Sequence, residues 1–313
     1  MFKKPTVLII GAGASAPFDF PTGQQLKDDV CNLGRAGLLS LTHNKIGPDE
    51  AKSLLKLLES SMDLSIDQAV EPYPHLHAVA KRVMAAVLLR CEHKFRKARA
   101  GQYPHHWIRF LFSKMHELAR TPEDFCHQRV SFVTFNYDRI LEWRFEKAFA
   151  AAYPNVRKRS WALLQPVVHV HGSLGALSTH GGILPTEVVP FGPSETPDPA
   201  PLENAIEKAE TNIKIVHEAH PNTDEFRRAR QLLSESKQVI FVGFGFGKDN
   251  VERLDLVHLP NDSKIWCSAT RWRQEQIETH ILSIFPGRGA FGPYCSKGEI
   301  IDLLQEKESS IFD

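Results

Sequence analysis

The chain begins with a short apolar run that passes directly into glycines. Residues 6–10 have the composition of a buried strand, and residues 11–15 (GAGAS) follow at once. A strand that breaks into glycines before a helix brings bare backbone N–H groups close to a phosphate. This arrangement predicts an α/β protein that binds a nucleotide at its first strand-to-helix turn.

Further apolar runs continue the pattern along the chain. We predict strands over residues 130–135, 167–170, 238–243 and 264–268, with helices between them. Such alternation is typical of a Rossmann-like parallel sheet, in which ligands bind beyond the carboxyl ends of the strands. The segments at four of these ends are polar or rich in glycine: 11–15, 136–138, 171–173 and 243–250. We therefore expect them to meet at one edge of the sheet.

Residues 24–125 interrupt this alternation. Leucine and valine recur there at helical spacing, and no second strand is evident before residue 130. We predict a single domain over residues 1–313, with a large, mostly helical insertion at 24–125 after the first strand. Residues 174–201 are rich in glycine and proline, which predicts a long loop or lid.

Composition limits the classes of partner. The formal net charge of the 313 residues is +1, which favours neither nucleic acid nor an anionic membrane as a partner. No apolar stretch approaches the ~18 residues of a membrane helix, and the first apolar run is too short for a signal peptide. The five cysteines form no C-x-x-C pair, which argues against a zinc site and favours reduced thiols in a cytoplasm. We expect a cytoplasmic protein without a metal site.

Polar residues follow the second and third predicted strands. Asn136 and Asp138 fit an ordinary turn, or they point into a cleft where one acts on a water or a ribose hydroxyl. His171 stands where the next strand opens into a loop, and its ordinary pKa suits acid–base work near neutral pH. His169 is expected on the same side of that strand, and we interpret it as structural.

The glycines of residues 243–247 (GFGFG) indicate either a flexible loop or a second backbone cradle for a dinucleotide. The sequence disfavours an ordinary dehydrogenase. In such enzymes an acidic residue about 20 positions after the glycines binds a ribose. Asp28 and Asp29 lie near that distance, but they fall in a helical pattern.

These segments together resemble the sirtuin superfamily, and especially its bacterial sirtuin-like branch. Residues 11–15 and 21–23 are similar to the family's opening glycine turn and proline-glycine loop. Residues 136–138 look like its asparagine-any-aspartate element, and residues 171–172 like its histidine-glycine element. The glycine loop at 243–250 completes the order, so the resemblance covers motifs over about residues 6–250.

The resemblance implies that NAD is the ligand. It implies that Asn136 positions a water or the nicotinamide ribose, that Asp138 lies near the nicotinamide carboxamide, and that His171 contacts the ribose hydroxyls and serves as the base. The implied NAD-binding residues are Gly11, Ala12, Gly13, Ser15, Thr22, Gly23, Gly243, Phe244, Gly245 and Asn250.

One departure from the family narrows the implied activity. Deacylating sirtuins carry a zinc module of four cysteines, and its absence here argues against protein deacylation. The branch without that module includes NAD-degrading effectors of antiphage defence, in which water replaces the acyl-lysine. The resemblance thus implies an NAD+ glycohydrolase that releases nicotinamide and ADP-ribose. It also implies gating by homo-oligomerisation or by an ATPase- or Argonaute-like sensor. The alternative is a non-catalytic NAD- or ADP-ribose-binding sensor or scaffold.

Overall fold

A computed structural model describes residues 2–62, 65–98, 102–103, 106–156, 167–177, 185–194, 196–215, 218, 221–270 and 272–312. Within these residues, six strands form one sheet. They are β1 (Thr6–Ile10), β2 (Val130–Thr134), β3 (Val167–His169), β4 (Gln238–Val242), β5 (Lys264–Ser268) and β6 (Tyr294–Ser296).

Helices connect the strands. Those before β2 are α1 (Gly23–Leu41), α2 (Pro48–Ser60), α3 (Ile66–Val70), α4 (His77–Lys97), α5 (Trp107–Glu117) and α6 (Pro122–Cys126). The later ones are α7 (Ile140–Ala152), α8 (Ala200–Asn212), α9 (Asp224–Ser234), α10 (Lys248–Leu254), α11 (Gln274–Gln276), α12 (Ile300–Glu306) and α13 (Glu308–Phe312). No described helix combines the length and the apolar character needed to cross a membrane.

The sheet is parallel throughout, with the strand order β3-β2-β1-β4-β5-β6. This confirms the predicted Rossmann-like α/β fold. All five residues of β1 are buried, as expected for a central parallel strand covered on both faces. Because β1 pairs with β2 on one side and with β4 on the other, the strand order reverses between β1 and β4. Such a reversal opens a crevice at the carboxyl ends of the two strands.

Alternate strand residues supply two separate cores. On one face, Leu8 and Phe132 pack with the helices of the insertion and with α7 and α8. On the other face, Val7, Val133 and Phe241 pack with α9 and α10. The described part of residues 24–125 is helical and contains no strand, in agreement with the sequence. The insertion therefore lies against one face of the sheet.

Two features differ from the prediction. Strand β6 was not predicted, because its three half-exposed residues lack an apolar run. His169 and His171 do not share a side: His169 bonds Glu142 on α7, whereas the His171 ring packs near Phe226 on α9, which covers the other face of the sheet. Strand pairing ends at His169, and the chain turns at Gly172, whose φ is +74°. Within the predicted loop at 174–201, Ala176 and Val188 form an isolated bridge.

Candidate active site

A two-part cleft opens where the carboxyl ends of β3, β2, β1 and β4 lie side by side. One part, which we call the His171 cavity, has a volume of about 510 Å³ and is lined by the ends of β2 and β3 and by α3. The other part, the Ser268 cavity, has about 580 Å³ and is lined by the turn after β4 and the end of β5. The cavities share the lining residues Ala12, Gly23 and Gly245, so they adjoin, and we treat them together as the cleft.

The cleft brings together most of the residues singled out in the sequence. Those that line one or both cavities are Ala12, Gly13, Thr22, Gly23, Asn136, Asp138, His171, Gly243, Phe244, Gly245 and Asn250. Thr22 is also the N-cap of α1, where its side chain accepts a hydrogen bond from the backbone N–H of Gln25. Gly11 and Ser15 line neither cavity. They contact the residues that do, and they support the cleft from within the protein.

The glycines of the first turn are needed for contact between two loops. Gly13 N donates to the carbonyl oxygen of Gly243 at 3.1 Å. A Cβ on Gly11 would lie 2.5 Å from that same oxygen, and a Cβ on Gly243 would lie 2.1 Å from Ala14 N. Gly243 also has a φ of +58°, a conformation that side chains other than glycine disfavour. These glycines therefore allow the turns after β1 and β4 to pack backbone against backbone.

Most amides of the first turn are already used within the protein, contrary to the expectation of bare N–H groups there. Those of Gly11, Gly13, Ala14 and Ser15 all donate to backbone carbonyls. Backbone open to a ligand lies instead in the second glycine loop. A Cβ on Gly245 or Gly247 would meet no atom within 4 Å, and both glycines line the His171 cavity.

Asn136 and Asp138 are linked through Ser15. Asn136 Nδ2 donates to Ser15 Oγ at 3.0 Å and to the carbonyl oxygen of Gly11 at 3.2 Å. Ser15 Oγ donates in turn to Asp138 Oδ2 at 2.8 Å, and Asp138 Oδ1 accepts from Ile140 N at 3.2 Å. Burial raises the pKa of Asp138 to about 6, although the hydrogen bonds from Ser15 and Ile140 favour its ionised form. The network fixes the turn after β2 against the turn after β1.

Two buried polar atoms of the His171 cavity have no partner. His171 is 5% exposed and Asn136 is 7% exposed. Neither His171 Nδ1 nor Asn136 Oδ1 has a hydrogen-bond partner among the described residues. A buried polar atom without a partner is costly unless a ligand or a water satisfies it. Asn136 and His171 therefore line one cavity, and each has a polar atom that a hydroxyl or a water can satisfy.

The ionisation of His171 reflects its surroundings. Burial lowers its pKa, and the carboxylate of Asp67 and the side chain of Asn250 oppose this effect, while Arg253 reinforces it. The ring also packs near Phe135 and Phe226, with centroids 5.5 and 5.9 Å away. A lowered pKa keeps the imidazole neutral near pH 7, the form that can accept a proton.

His169 has a different role from His171. Its Nδ1 donates to the carbonyl oxygen of Asn136 at 2.9 Å, and its Nε2 lies 2.5 Å from Glu142 Oε1 on α7. Burial would lower the pKa of His169, but Glu142 and the Asn136 carbonyl outweigh burial and raise it. His169 thus holds the backbone of the turn that carries Asn136, in agreement with its interpretation as structural.

A buried ion pair holds the same turn from the insertion side. Arg139, next to Asp138 in sequence, is 1% exposed at its side chain, and its partner Glu92 on α4 is 0% exposed. Two guanidinium nitrogens of Arg139 bond Glu92, at 3.0 and 2.6 Å. The guanidinium also donates to the carbonyl oxygens of Gly175 and Val189. The pair therefore joins the insertion, the start of α7 and the segment after β3.

Several residues that line the cleft were not predicted from the sequence as site residues. Asp67 on α3 lines the His171 cavity, and Ser268, Thr270 and Glu299 line the Ser268 cavity. Ser268 could have been found, because it ends a predicted strand. Glu299 precedes α12 beyond the unpredicted β6, and Asp67 is brought in by the packing of the insertion. No group of three or more metal-ligating side chains occurs in the described part of the chain.

In comparisons with protein-family models and with curated proteins, nothing matches this chain.

Proposed function

We propose that this protein is an NAD+ glycohydrolase, which cleaves NAD+ to nicotinamide and ADP-ribose. The observation that carries the proposal is that Asn136 and His171 line the same cavity and that each has a buried side-chain atom without a partner, Oδ1 and Nδ1 respectively. They belong to the two residues to which the sirtuin resemblance gives the water-positioning and base roles. Buried polar atoms are normally satisfied, and of the six unpartnered ones among the described residues these two belong to residues that line the cleft.

The shape of the cleft supports a dinucleotide substrate. Its two lobes have volumes of about 510 and 580 Å³, each within the ~300–1,000 Å³ range of ligand pockets. They meet at the strand-order reversal, where doubly wound sheets bind dinucleotides. We assign the nicotinamide end to the His171 cavity and the adenosine end to the Ser268 cavity. There, the carboxylate of Glu299 can accept a hydrogen bond from a ribose or a base, whereas the hydroxyls of Ser268 and Thr270 already donate to backbone carbonyls.

The chemistry requires little from the protein beyond geometry and one base. As the bond between C1′ and the nicotinamide nitrogen breaks, its electron pair goes to the ring, which leaves as neutral nicotinamide. The ribose passes through an oxocarbenium-like state, and a water oxygen bonds to C1′. In our proposal Asn136 orients that water and the neutral imidazole of His171 accepts its proton. Groups in such roles contribute typically about 10²–10⁴-fold to rate.

Asp138 has a supporting role in this scheme. Both of its carboxylate oxygens are engaged, by Ser15 Oγ and by Ile140 N. We therefore propose that Asp138 positions Asn136 through Ser15 and makes no direct bond to the nicotinamide carboxamide. This changes the role that the resemblance alone implies for it.

The cellular role is proposed on the resemblance alone. We propose a cytoplasmic antiphage-defence effector whose activity is gated by homo-oligomerisation or by an ATPase- or Argonaute-like partner. Such gating is expected because uncontrolled loss of NAD+ kills the cell.

Chromatographic measurement of nicotinamide release from NAD+ tests the activity, with the full chain assayed over a range of protein concentrations to allow assembly. We expect His171→Ala and Asn136→Ala each to reduce release at least about 100-fold. The control His258→Ala removes an exposed imidazole and leaves the rate unchanged. Binding of ADP-ribose, measured by calorimetry, shows whether a variant still has its cleft. Tight binding without any release by the unmodified protein would overturn hydrolysis in favour of a sensor.

A further inference from the structure

The helical insertion contributes a carboxylate to the proposed reactive end of the cleft. Asp67 lies in the first turn of α3, after the N-cap residue Ser65. Both residues line the His171 cavity, together with Asn136 and His171 from the sheet edge. Burial is the main influence on two buried rings of this cavity, as it lowers the pKa of His171 and raises that of Tyr137, and the Asp67 carboxylate favours the protonated form of both. Asp67 therefore lines the cavity from the helical insertion, close enough for its charge to act on His171 at the edge of the sheet.

Asp67 differs from the other charged residues of the cavity. Both oxygens of Asp138 are already bonded within the protein. Asp249 is exposed, and the Lys248 side chain is 85% exposed and lies 3.9 Å from Glu252. Water screens such exposed charges strongly. Asp67 is partly buried, so its charge is screened less and acts more directly on a group inside the cavity.

The residues at the edge of the sheet are independent evidence for a ligand in the His171 cavity. His171 and Asn136 line the same cavity as Asp67, and their Nδ1 and Oδ1 atoms are buried without partners. A ligand held by these two atoms lies between the sheet edge and the insertion. Asp67 lines that cavity from the insertion side, so its charge acts on a ligand that occupies it.

We propose that Asp67 is a specificity-determining residue, whose carboxylate makes the His171 cavity select a positively charged N-substituted pyridinium ring over a neutral ring of the same shape. The inference rests on the proposed function, because it assumes that the nicotinamide end of a dinucleotide occupies this cavity. It adds that the insertion takes part in substrate selection. It also explains release of the product, since nicotinamide leaves as a neutral ring that Asp67 no longer attracts.

The test compares two ligands that differ in ring charge. Carba-NAD+, whose glycosidic bond does not hydrolyse, has a cationic ring, and its reduced form has a neutral ring. With the full chain, calorimetry should give roughly tenfold tighter binding of the oxidised form, the effect of one partly desolvated charge pair. In Asp67→Asn that preference should fall to about twofold or less, through weaker binding of the oxidised form alone. ADP-ribose, which lacks the ring, should bind both proteins equally.

Two further variants control for folding and for general charge. Asp49→Asn removes an acidic residue from the first turn of α2, outside the cavity, and should retain the full preference. Asp67→Glu retains the charge and should retain most of the preference. A thermal melt identifies any variant that fails to fold, and the unmodified protein alone already tests whether ring charge matters.

The outcomes separate this proposal from the proposed function. Equal affinity of the unmodified protein for the two forms, or a full preference in Asp67→Asn, overturns the role of Asp67 even if nicotinamide is released from NAD+. A preference that depends on Asp67 in a protein that never releases nicotinamide supports Asp67 and overturns the hydrolase. Failure to bind carba-NAD+ and ADP-ribose overturns both.

Discussion

Gly11 and Gly243 meet backbone to backbone, although 232 positions separate them in the sequence: a Cβ on Gly11 would lie 2.5 Å from the carbonyl oxygen of Gly243. This contact joins the turns after β1 and β4 at the point where the strand order reverses. It divides the glycines of the cleft into two groups. Those at the contact leave no room for a Cβ, while Gly245 and Gly247 face open space and are available to a ligand.

The two groups of glycines predict opposite effects of alanine. Gly243→Ala places a Cβ 2.1 Å from Ala14 N at a φ of +58°, so we expect a loss of about 2–4 kcal/mol in the free energy of unfolding. Gly245→Ala should change it by less than about 1 kcal/mol and should weaken dinucleotide binding. Urea denaturation and calorimetry measure the two effects. Equal destabilisation by both variants would contradict this division.

The ionisation of Asp138 should make the free energy of unfolding depend on pH in acidic solution. Its pKa is about 6 in the folded protein and near 3.8 when unperturbed, because burial disfavours the ionised form. The folded state binds this proton more tightly than the unfolded state, so the contribution of Asp138 to stability falls as pH rises from about 4 to 6. The difference of about 2 pKa units corresponds to roughly 3 kcal/mol.

Asp138→Asn should remove that contribution. The stability of the variant relative to the unmodified protein should rise between about pH 4 and pH 6 and become constant above about pH 7. Denaturant titrations at a series of pH values measure the difference. A constant difference across this range would show that Asp138 is not buried as described.

The ion pair between Arg139 and Glu92 should be sensitive to the loss of one partner. Glu92→Ala leaves the Arg139 guanidinium charged and buried, so we expect a destabilisation of about 3–5 kcal/mol. Asp262→Ala is a matched control, since it breaks a pair with Lys237 whose side chains are about half exposed, and it should cost less than about 1 kcal/mol. If chemical denaturation gives similar losses in the free energy of unfolding for the two variants, the pair between Arg139 and Glu92 is not buried as described.

Hydrolysis should depend on the ionisation of His171. Burial lowers its pKa below the ordinary histidine value of 6.5, so the imidazole remains a base to lower pH than an exposed histidine. The rate should fall as pH falls through this lowered pKa, because the protonated ring cannot accept a proton. Asp67→Asn removes a group that raises the pKa and should shift this acid limb to lower pH. The pH profile of kcat/KM measures the shift, and a shift to higher pH would contradict the assignment of His171.

Much of the fold could be predicted because its signals are local. The fully buried strand β1 reads as a continuous apolar run, and the polar ends of β1, β2, β3 and β4 could be placed at one edge from the rule for parallel sheets. That reasoning brought Asn136 and His171 together in advance. The three-residue strand β6 carries too little apolar sequence to be recognised.

The remaining features depend on contacts distant in sequence. The packing of Gly11 on Gly243 requires the turns after β1 and β4 to be neighbours at a separation that sequence does not give. The opposite directions of His169 and His171 follow from where pairing with β2 stops. Asp67 enters the site through the packing of the insertion, whose helical periodicity indicates buried faces but not what a polar residue at its edge will meet.

The decisive measurement is a crystal structure of the protein with carba-NAD+. We expect His171 Nδ1 and Asn136 Oδ1 each to lie within about 3.2 Å of the nicotinamide ribose or of a water beside its C1′ carbon. We also expect adenosine in the Ser268 cavity. A dinucleotide bound outside this cleft, or bound within it while both atoms remain without partners, would show that Asn136 and His171 do not form the active site.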